Sequence, residues 1–473
     1  MNYSGLLTDL YELTMMQGYL LQDRNEKVVF DVFFRKHPFS GGYSILAGIE
    51  DVLNLLPRFS FSEDDISYLR SLNKFENRFL DYLRNFKFSG DIYTMDEGSV
   101  VFPQEPLIRI HSTIMEAQLV ESVILNTINF QTLIATKAAR VVHAAGGSGV
   151  LEFGLRRAQC IDGALSASRA AYTGGVIATS NTLAGKLYNI PVTGSMAHSW
   201  VMAHDNELQS FLKFAELYPD AAILLIDTFD TLGSGIENAI KTGLELKKKG
   251  KSIMVRLDSG DLFYLSNKVR AKLDEAGLED AKIVVSNDLN EEIIHQMVTD
   301  GVPIDFWGVG TQLVTGGSDS AFGGVYKLSA KENKGKMMPT IKVSNNTEKT
   351  SNPGIKQVYR FYDTDGYAAG DMIALQSEKI LPGRPYKFYH PTYFHKKYIL
   401  NEYSDIEPLL KLQMQNGIRI TDSLTLHEIQ QKVKKNLKKF DKTYKRILNP
   451  HIYKISLSET LKKLKARLID EYK

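Results

Sequence analysis

Three groups of residues in this chain have side chains and spacings suited to chemistry. In VRLDSGDL (255–262), Arg256, Asp258 and Asp261 close one short apolar run. A guanidinium there can grip an anion while a carboxylate accepts sugar hydroxyls or holds Mg²⁺. Gly308-Val309-Gly310-Thr311 and Gly323-Gly324 can bring backbone N–H groups close to phosphate oxygens, although either glycine pair alone is equally an ordinary turn. No GxxxxGK[ST] run occurs, which excludes a P-loop nucleotidase. The third group is His198, in Gly194-Ser195-Met196-Ala197-His198-Ser199, between the Asn189-Ile190-Pro191-Val192 stretch and a helical pattern from Trp200. Such a histidine can be a general base, a metal ligand or a nucleophile, and its plainer role is a structural or exposed imidazole. Metal ligation has little support, because His204 is six residues on and no carboxylate–histidine pair has ligand spacing. The conjunction points to a ligand with phosphates and a sugar diol. Tyr11 and Phe153 are candidates for stacking on an aromatic ring, and each is otherwise a core residue.

The elements that must position these groups are legible between about residues 130 and 330. Apolar runs at 150–153, 223–226, 253–257, 283–285 and 306–309 each end in polar or glycine-rich residues. Continuous apolar runs bounded by turns suit strands covered on both faces, as in a parallel sheet. Polar residues gathered at the C-terminal ends of such strands are what an α/β barrel or a doubly wound sheet presents to its ligand. Any one of them could merely cap the next helix, but five in succession point to a site. Between the strands, Ile236, Ile240 and Leu244 share one helical face, as do Ile293, Ile294 and Met297.

Residues 1–130 mix signals: a helix over 6–19, an extended aromatic run over 28–34, a polar helical stretch over 62–86 and strands near Ile92 and Leu107. This reads as a mixed α/β (α+β) domain. An irregular α/β barrel over 131–350 follows, then a C-terminal segment over 351–473 that returns to the first domain. In that segment Leu426, Ile429, Val433, Leu437, Phe440 and Tyr444, and then Leu457, Leu461, Leu464 and Leu468, recur at helical spacing opposite lysine-rich faces. Docking of those helices on the body is expected, because each buried large apolar side chain contributes about 1.5–3 kcal/mol.

The chain of 473 residues, 43% hydrophobic and 24% charged, is long enough for two or three units and too apolar to be disordered. Lysine and arginine (57) nearly balance aspartate and glutamate (55), giving +2 and no concentrated field for nucleic acid. No run approaches the ~18 apolar residues of a membrane span, and Asp9 and Glu12 interrupt what a signal peptide would need. The single cysteine, Cys160, excludes an internal disulfide and is expected to be buried and inert. A cytoplasmic enzyme is the default reading.

The motifs LLTDLYELTMMQGY (6–19), FDVFFRKHPF (30–39), EFGLRRAQ (152–159), GSMAHS (194–199), IDTFDT (226–231), VRLDSGDL (255–262), VSNDLNE (285–291), GVGTQLVT (308–315) and GGVYKL (323–328) occur in the order seen in nicotinate phosphoribosyltransferases, which the sequence resembles from about residue 5 to 360. The resemblance implies an enzyme of NAD biosynthesis with a type II phosphoribosyltransferase fold. It would act as a ligase joining nicotinate to 5-phosphoribosyl-1-diphosphate, with ATP hydrolysis coupled through a phosphohistidine. It implies that His198 is the phosphorylated residue and that Tyr11 contacts nicotinate from the partner subunit of a homodimer. It places Phe153 on the other face of the pyridine, Ser195 and Arg256 at the nicotinate end, and Thr311 on the phosphoribosyl donor. Asp258 and Asp261 would serve ribose hydroxyls or Mg²⁺, and Arg156, Gly310, Gly323 and Gly324 would complete the phosphate grip; the metal ligands stay unassigned. Close members of the family have threonine where this chain has Ser195, so the hydroxyl is kept and only a methyl contact, worth about 1 kcal/mol, is lost. The alternatives are a nicotinamide phosphoribosyltransferase of the same fold and a catalytically inactive barrel acting as a binding protein. Quinolinate as substrate, or a phosphate-binding isomerase or aldolase, fits less well, the last because no lysine stands at the five strand ends.

Overall fold

A computed structural model describes residues 4–472, which form two compact units. Ile134–Ser320 make one unit; the chain before it and the chain from Ala321 onward make the other. Residues 321–350, expected with the barrel, therefore belong with the first domain. The reason is pairing: the strand Gly324–Asn333 lies antiparallel to Lys27–Phe34, with Phe34 opposite Gly324.

The Ile134–Ser320 unit is built on six parallel strands: β1 (Gly149–Glu152), β2 (Ala178–Thr179), β3 (Ile223–Leu225), β4 (Met254–Leu257), β5 (Lys282–Asn287) and β6 (Phe306–Val309). Their order in space is β2-β1-β6-β5-β4-β3. The first and last strands are neighbours, so the sheet curls as a barrel does, leaving one seam between β2 and β3. Val150, Leu224, Val255, Leu257, Val284 and Trp307 are buried, as expected of strands covered on both faces. The helices between them follow the expected order, but their faces are rotated from the simplest reading. Ile236, Ala239 and Leu246 are buried while Leu244 is exposed, and Ile294 and Met297 are buried while Ile293 is exposed.

Cys160 is exposed, against expectation. A 3₁₀ turn at Leu155–Arg157 carries the chain along the surface, and Cys160 opens the helix Cys160–Thr173 with a left-handed φ of 65°. The buried face of that helix begins only at Ala164.

The other unit holds two larger sheets. One runs Lys336–Pro339, Gly324–Asn333, Lys27–Phe34, Ile108–Thr113, Asp91–Thr94, Lys411–Gln415, Ile418–Arg419, and is antiparallel throughout. The other contains Lys356–Tyr362, Ala368–Leu375, Tyr386–Tyr389 and Ile455–Leu457 with two edge strands. The C-terminal third is thus richer in strands than its helical signal suggested. The two expected helices are present at Leu426–Lys438 and Glu459–Asp470, docked through Ile429, Val433 and Leu461. Leu457 ends a strand, and Phe440 packs beyond its helix against Phe102 and Tyr453. Among the described residues no helix is long and apolar enough to cross a membrane.

One buried ion pair anchors this unit. Lys356 Nζ lies 2.7 Å from Asp31 Oδ2 and donates to the carbonyls of Asn352 (2.8 Å) and Gly354 (2.6 Å). Burial, the largest influence, holds its pKa below the usual lysine value although Asp31 opposes it. Asp31→Ala strands that ammonium, and a loss of roughly 3–5 kcal/mol in denaturant unfolding is expected. A lysine depressed in the folded state binds fewer protons there than when unfolded, so stability rises with pH. The deficit of the variant should accordingly narrow as pH rises toward the lysine value of the unfolded chain; a pH-independent deficit would show that the charge is not the cause.

Candidate functional site

Within the parallel-sheet unit the chemistry gathers at the C-terminal strand ends around Arg256. Strand β4 alternates, burying Val255 and Leu257 and turning Arg256 to the other face. The guanidinium donates from Nε to Ser286 Oγ (2.8 Å), from Nη1 to Ser195 Oγ (2.9 Å) and from Nη2 to Asp258 Oδ1 (2.9 Å). Three of its five N–H groups are used, leaving one on each terminal nitrogen for a ligand. Ser286 donates its O–H to Asp258 Oδ1 and Ser195 donates to the Met196 carbonyl, so both hydroxyls are oriented. Asp227 Oδ2 accepts from the Asp258 N–H (2.9 Å) and from Ser259 Oγ (2.6 Å), which fixes the turn after β4. Its Oδ1 is buried without a partner.

His198 is the first residue of the short helix His198–Met202, reached through the seam of the barrel. Thr179 N–H donates to the Pro191 carbonyl and Thr193 N–H to the Thr179 carbonyl, laying the preceding segment along the free edge of β2. The imidazole is 41% exposed, with Nδ1 3.1 Å from Thr228 Oγ1 and Nε2 3.9 Å from Asp258 Oδ2. Thr228 therefore pins one nitrogen and leaves the other open toward a carboxylate.

The Phe153 ring lies with the Arg256 guanidinium carbon 5.7 Å from its centroid. Its seat depends on Gly308, where a Cβ would stand 2.6 Å from the ring. Behind it, Glu152 is buried and accepts from the Gly154 N–H, Ser168 Oγ (2.8 Å) and Thr179 Oγ1. That network locks the turn after β1.

The structure thus brings His198, Arg256, Asp258, Ser195 and Phe153 together. It does not bring Asp261 into the cluster: its carboxylate caps the helix Leu262–Glu275 through the Tyr264 N–H (3.1 Å), the ordinary capping role. Arg156 is exposed on the 3₁₀ turn, while Gly310 and Thr311 open the short helix Thr311–Val314 after β6. Tyr11, Gly323 and Gly324 belong to the other unit. Tyr11 is half exposed on the helix Leu10–Leu21. Burial and the neighbouring carboxylates Glu12, Glu121 and Asp9 raise its phenol pKa, and Glu121 itself is pushed up to about 7 by burial and Glu12. Gly324 has a packing reason to be glycine, since a Cβ there would meet Asn129 Oδ1 at 2.0 Å. Ser286, Thr228, Asp227 and Glu152 were not singled out from sequence. Register supplies the signal for Ser286: Val285 pairs with Leu257, so the next residue, Ser286, lies level with Asp258.

No group of three or more His, Cys, Asp or Glu among the described residues could hold a metal by itself. Mg²⁺ needs less than that, being bound commonly by one or two carboxylates plus substrate phosphates and water. The partnerless Asp227 Oδ1 and the outer oxygen of Asp258 are donors of that kind.

Comparison with known proteins agrees along the whole chain. Residues 6–129 match the nicotinate phosphoribosyltransferase (NAPRTase) N-terminal domain, 149–364 the NAPRTase family and 355–465 the nicotinate phosphoribosyltransferase C-terminal domain. The nicotinate phosphoribosyltransferase of Bacillus subtilis is 43% identical over 472 residues, covering 99% of this chain and 96% of that protein. The crystal structure of human nicotinic acid phosphoribosyltransferase superposes with a TM-score of 0.86 at 29% identity, covering 98% of this chain and 99% of that one. Nicotinate-nucleotide pyrophosphorylase from Pyrococcus furiosus shares the fold, with a TM-score of 0.71 over 92% of this chain and 95% of that one at 24% identity. With strand order, strand-end cluster and full-length similarity in agreement, the chain belongs to the nicotinate phosphoribosyltransferase family.

Proposed function

We propose that the chain joins nicotinate to 5-phosphoribosyl-1-diphosphate, releasing nicotinate mononucleotide and diphosphate. The observation that carries this reading is the Arg256 fork, braced by Ser286 and Asp258, with Ser195 beside it and the Phe153 ring near it. A carboxylate takes charge-assisted hydrogen bonds from the two free guanidinium N–H groups, whereas an amide would turn a donor toward a site made of donors. The pyridine ring stacks on Phe153, which orients its nitrogen toward the ribose carbon. The C–O bond to diphosphate breaks, positive charge develops on the ribose, and the nitrogen lone pair forms the new C–N bond. That nitrogen carries no proton, so no general base is required.

His198 is then free for a second task. In this reading ATP transfers its γ-phosphoryl group to Nε2, whose lone pair is left available when Nδ1–H is donated to Thr228, and water later releases phosphate. The phosphate would add about 1.5–2 negative charges next to Asp258, altering the field at the donor site. Asp258 and Asp227 would hold Mg²⁺ carried with the phosphates, which supplies charge neutralisation for the leaving diphosphate. Thr311, Gly310, Arg156, Gly323 and Gly324 are assigned to the donor's phosphates, and Tyr11, contributed across a homodimer, to nicotinate. This assignment rests on the family.

Loss of charge-assisted bonds costs about 1.5–3 kcal/mol. Arg256→Gln should therefore raise KM for nicotinate roughly 10–100-fold while leaving KM for the donor within a factor of about three; a gain of nicotinamide turnover with unchanged nicotinate KM would instead favour the amide substrate. Gly308→Ala should displace Phe153 and raise nicotinate KM about fivefold or more, corresponding to about 1 kcal/mol of lost stacking, with little change in melting temperature; unaltered kinetics would remove Phe153 from the ring site. Incubation with γ-labelled ATP should place an acid-labile, base-stable label on the wild type and none on His198→Ala. Label of equal intensity on that variant would end the phosphohistidine assignment.

A further inference from the structure

Tyr11 rides on the first turn of the helix Leu10–Leu21, which has no side-chain cap. That turn is tied instead to residues 118–122. Thr8 Oγ1 donates to the Leu119 carbonyl (3.3 Å), Asp9 N–H donates to Ser122 Oγ (3.2 Å), and Ser122 returns its O–H to Asp9 Oδ2 (2.8 Å). The tie beside Tyr11 is made by Glu12, which is fully buried. Gln118 Nε2 donates to Glu12 Oε2 at 2.5 Å and reaches Glu121 Oε2 at 3.4 Å. Two carboxyl groups thus share one amide nitrogen, and those oxygens stand no more than about 6 Å apart, close enough for one charge to oppose the other.

No cation separates them. Among the described residues neither carboxyl forms an ion pair, and Glu12 Oε1 is buried without a hydrogen-bond partner. Lys327, on the strand Gly324–Asn333, acts on both from a distance while its Nζ donates to the Tyr326 carbonyl (2.6 Å). Asp9 adds a like charge, and Tyr11, Tyr19 and Tyr326 are phenols kept neutral, first of all by burial. Glu116, on the helix Ile114–Leu119 that carries Gln118, is taken up by Ser89 and Ser112. Burial and then Glu12 push Glu121 up to about 7, and burial raises Glu12 as well.

We propose that Glu12 and Glu121 hold one proton between them and act as the positioning pair for Tyr11, so that nicotinate binding weakens as pH rises past neutrality. The proposal rests on the reading that Tyr11 meets nicotinate across a homodimer. While one carboxyl keeps its proton, Gln118 bridges the pair and Glu12 engages the Tyr11 hydroxyl. Loss of that proton leaves two like charges on one amide in a largely buried place. Movement of the Glu12 turn away from Glu121 relieves the repulsion, and Tyr11 moves with that turn.

The nicotinate KM of the full-length protein, measured from about pH 6 to about pH 8.5 at saturating donor, tests this on wild type and Glu121→Gln. The variant keeps the shape of a protonated carboxyl and cannot ionise, and nicotinate itself keeps one charge over that range. The wild-type KM should rise about fivefold or more with a midpoint near pH 7. KM of Glu121→Gln should vary less than about twofold and match the wild type at the acid end. Both proteins carry His198 and use the same donor, so titration of either cancels in the comparison, and KM for the donor should follow one pH profile in both. Hydrogen exchange of the amides of Glu12 to Met16, corrected for the intrinsic rate, reads the turn without substrate. Their protection should fall about fivefold with rising pH in the wild type alone. Equal nicotinate profiles in the two proteins, a donor KM that moves in step with nicotinate, or equal exchange would each overturn the proposal. Absence of any nicotinate turnover in the wild type would instead end the transfer reading, and the role given to Tyr11 with it, whatever the exchange shows.

Discussion

The candidate site depends on keeping one guanidinium in one place. Arginine has a long side chain with about 2 kcal/mol of rotamer entropy, and at a strand end it would ordinarily sweep through solvent. Here Ser286 and Asp258 hold two of its nitrogens and Ser195 receives a third bond, while Asp227 fixes the backbone of Asp258 itself. Three adjacent strands, β3, β4 and β5, thus contribute through the turns that follow them or through their last residues. The clasp is possible because the strands are parallel: only then do all their C-terminal ends open on the same edge of the sheet.

Barrel topology explains why the histidine segment enters where it does. In a fully closed barrel each strand edge is taken by a neighbour, and a loop can only pass over the rim. The seam between β2 and β3 leaves one edge of β2 free, and the chain before Gly194 uses it, bonding to Thr179 on both its N–H and its carbonyl. Helix His198–Met202 then starts close enough for His198 to reach Thr228 and to approach Asp258. The irregularity of the barrel is what admits the imidazole.

The strands of the parallel sheet were legible because both faces are buried. Val284, Leu224 and Trp307 sit in runs with no polar alternation, and burial gives such runs one reading. His198, Arg256 and Asp258 stood out as charged or titratable groups among small and apolar residues. Ser286 and Thr228 did not, because a hydroxyl at a strand end looks the same whether it caps a helix, solvates a turn or braces an arginine; only cross-strand register separates the cases. Asp261 shows the converse, an acid in a conspicuous motif whose structural bond is a helix cap. Cys160 was misread because local composition says nothing of a left-handed φ at the first residue of a helix. The C-terminal strands were missed because Tyr386–Tyr389 is only four residues long with a lysine among its buried aromatics, and Lys397–Leu400 is a half-exposed edge strand, where strand and loop share one composition.

Glu152 shows how far the site reaches into the body of the sheet. A carboxylate buried without compensation is costly, so its place at the end of β1 requires donors. It has them from the Gly154 N–H on the following turn, from Ser168 on the helix Cys160–Thr173, and from Thr179 on β2. Each donor belongs to a different element, and Thr179 is also the residue that receives the seam segment. One buried acid therefore ties the seat of Phe153 to the strand edge that guides His198, so the ring and the imidazole are positioned by the same network. Arg256 keeps two guanidinium N–H groups free at this edge of the sheet, and Glu152 braces the turn that carries Phe153 and the strand edge that leads to His198.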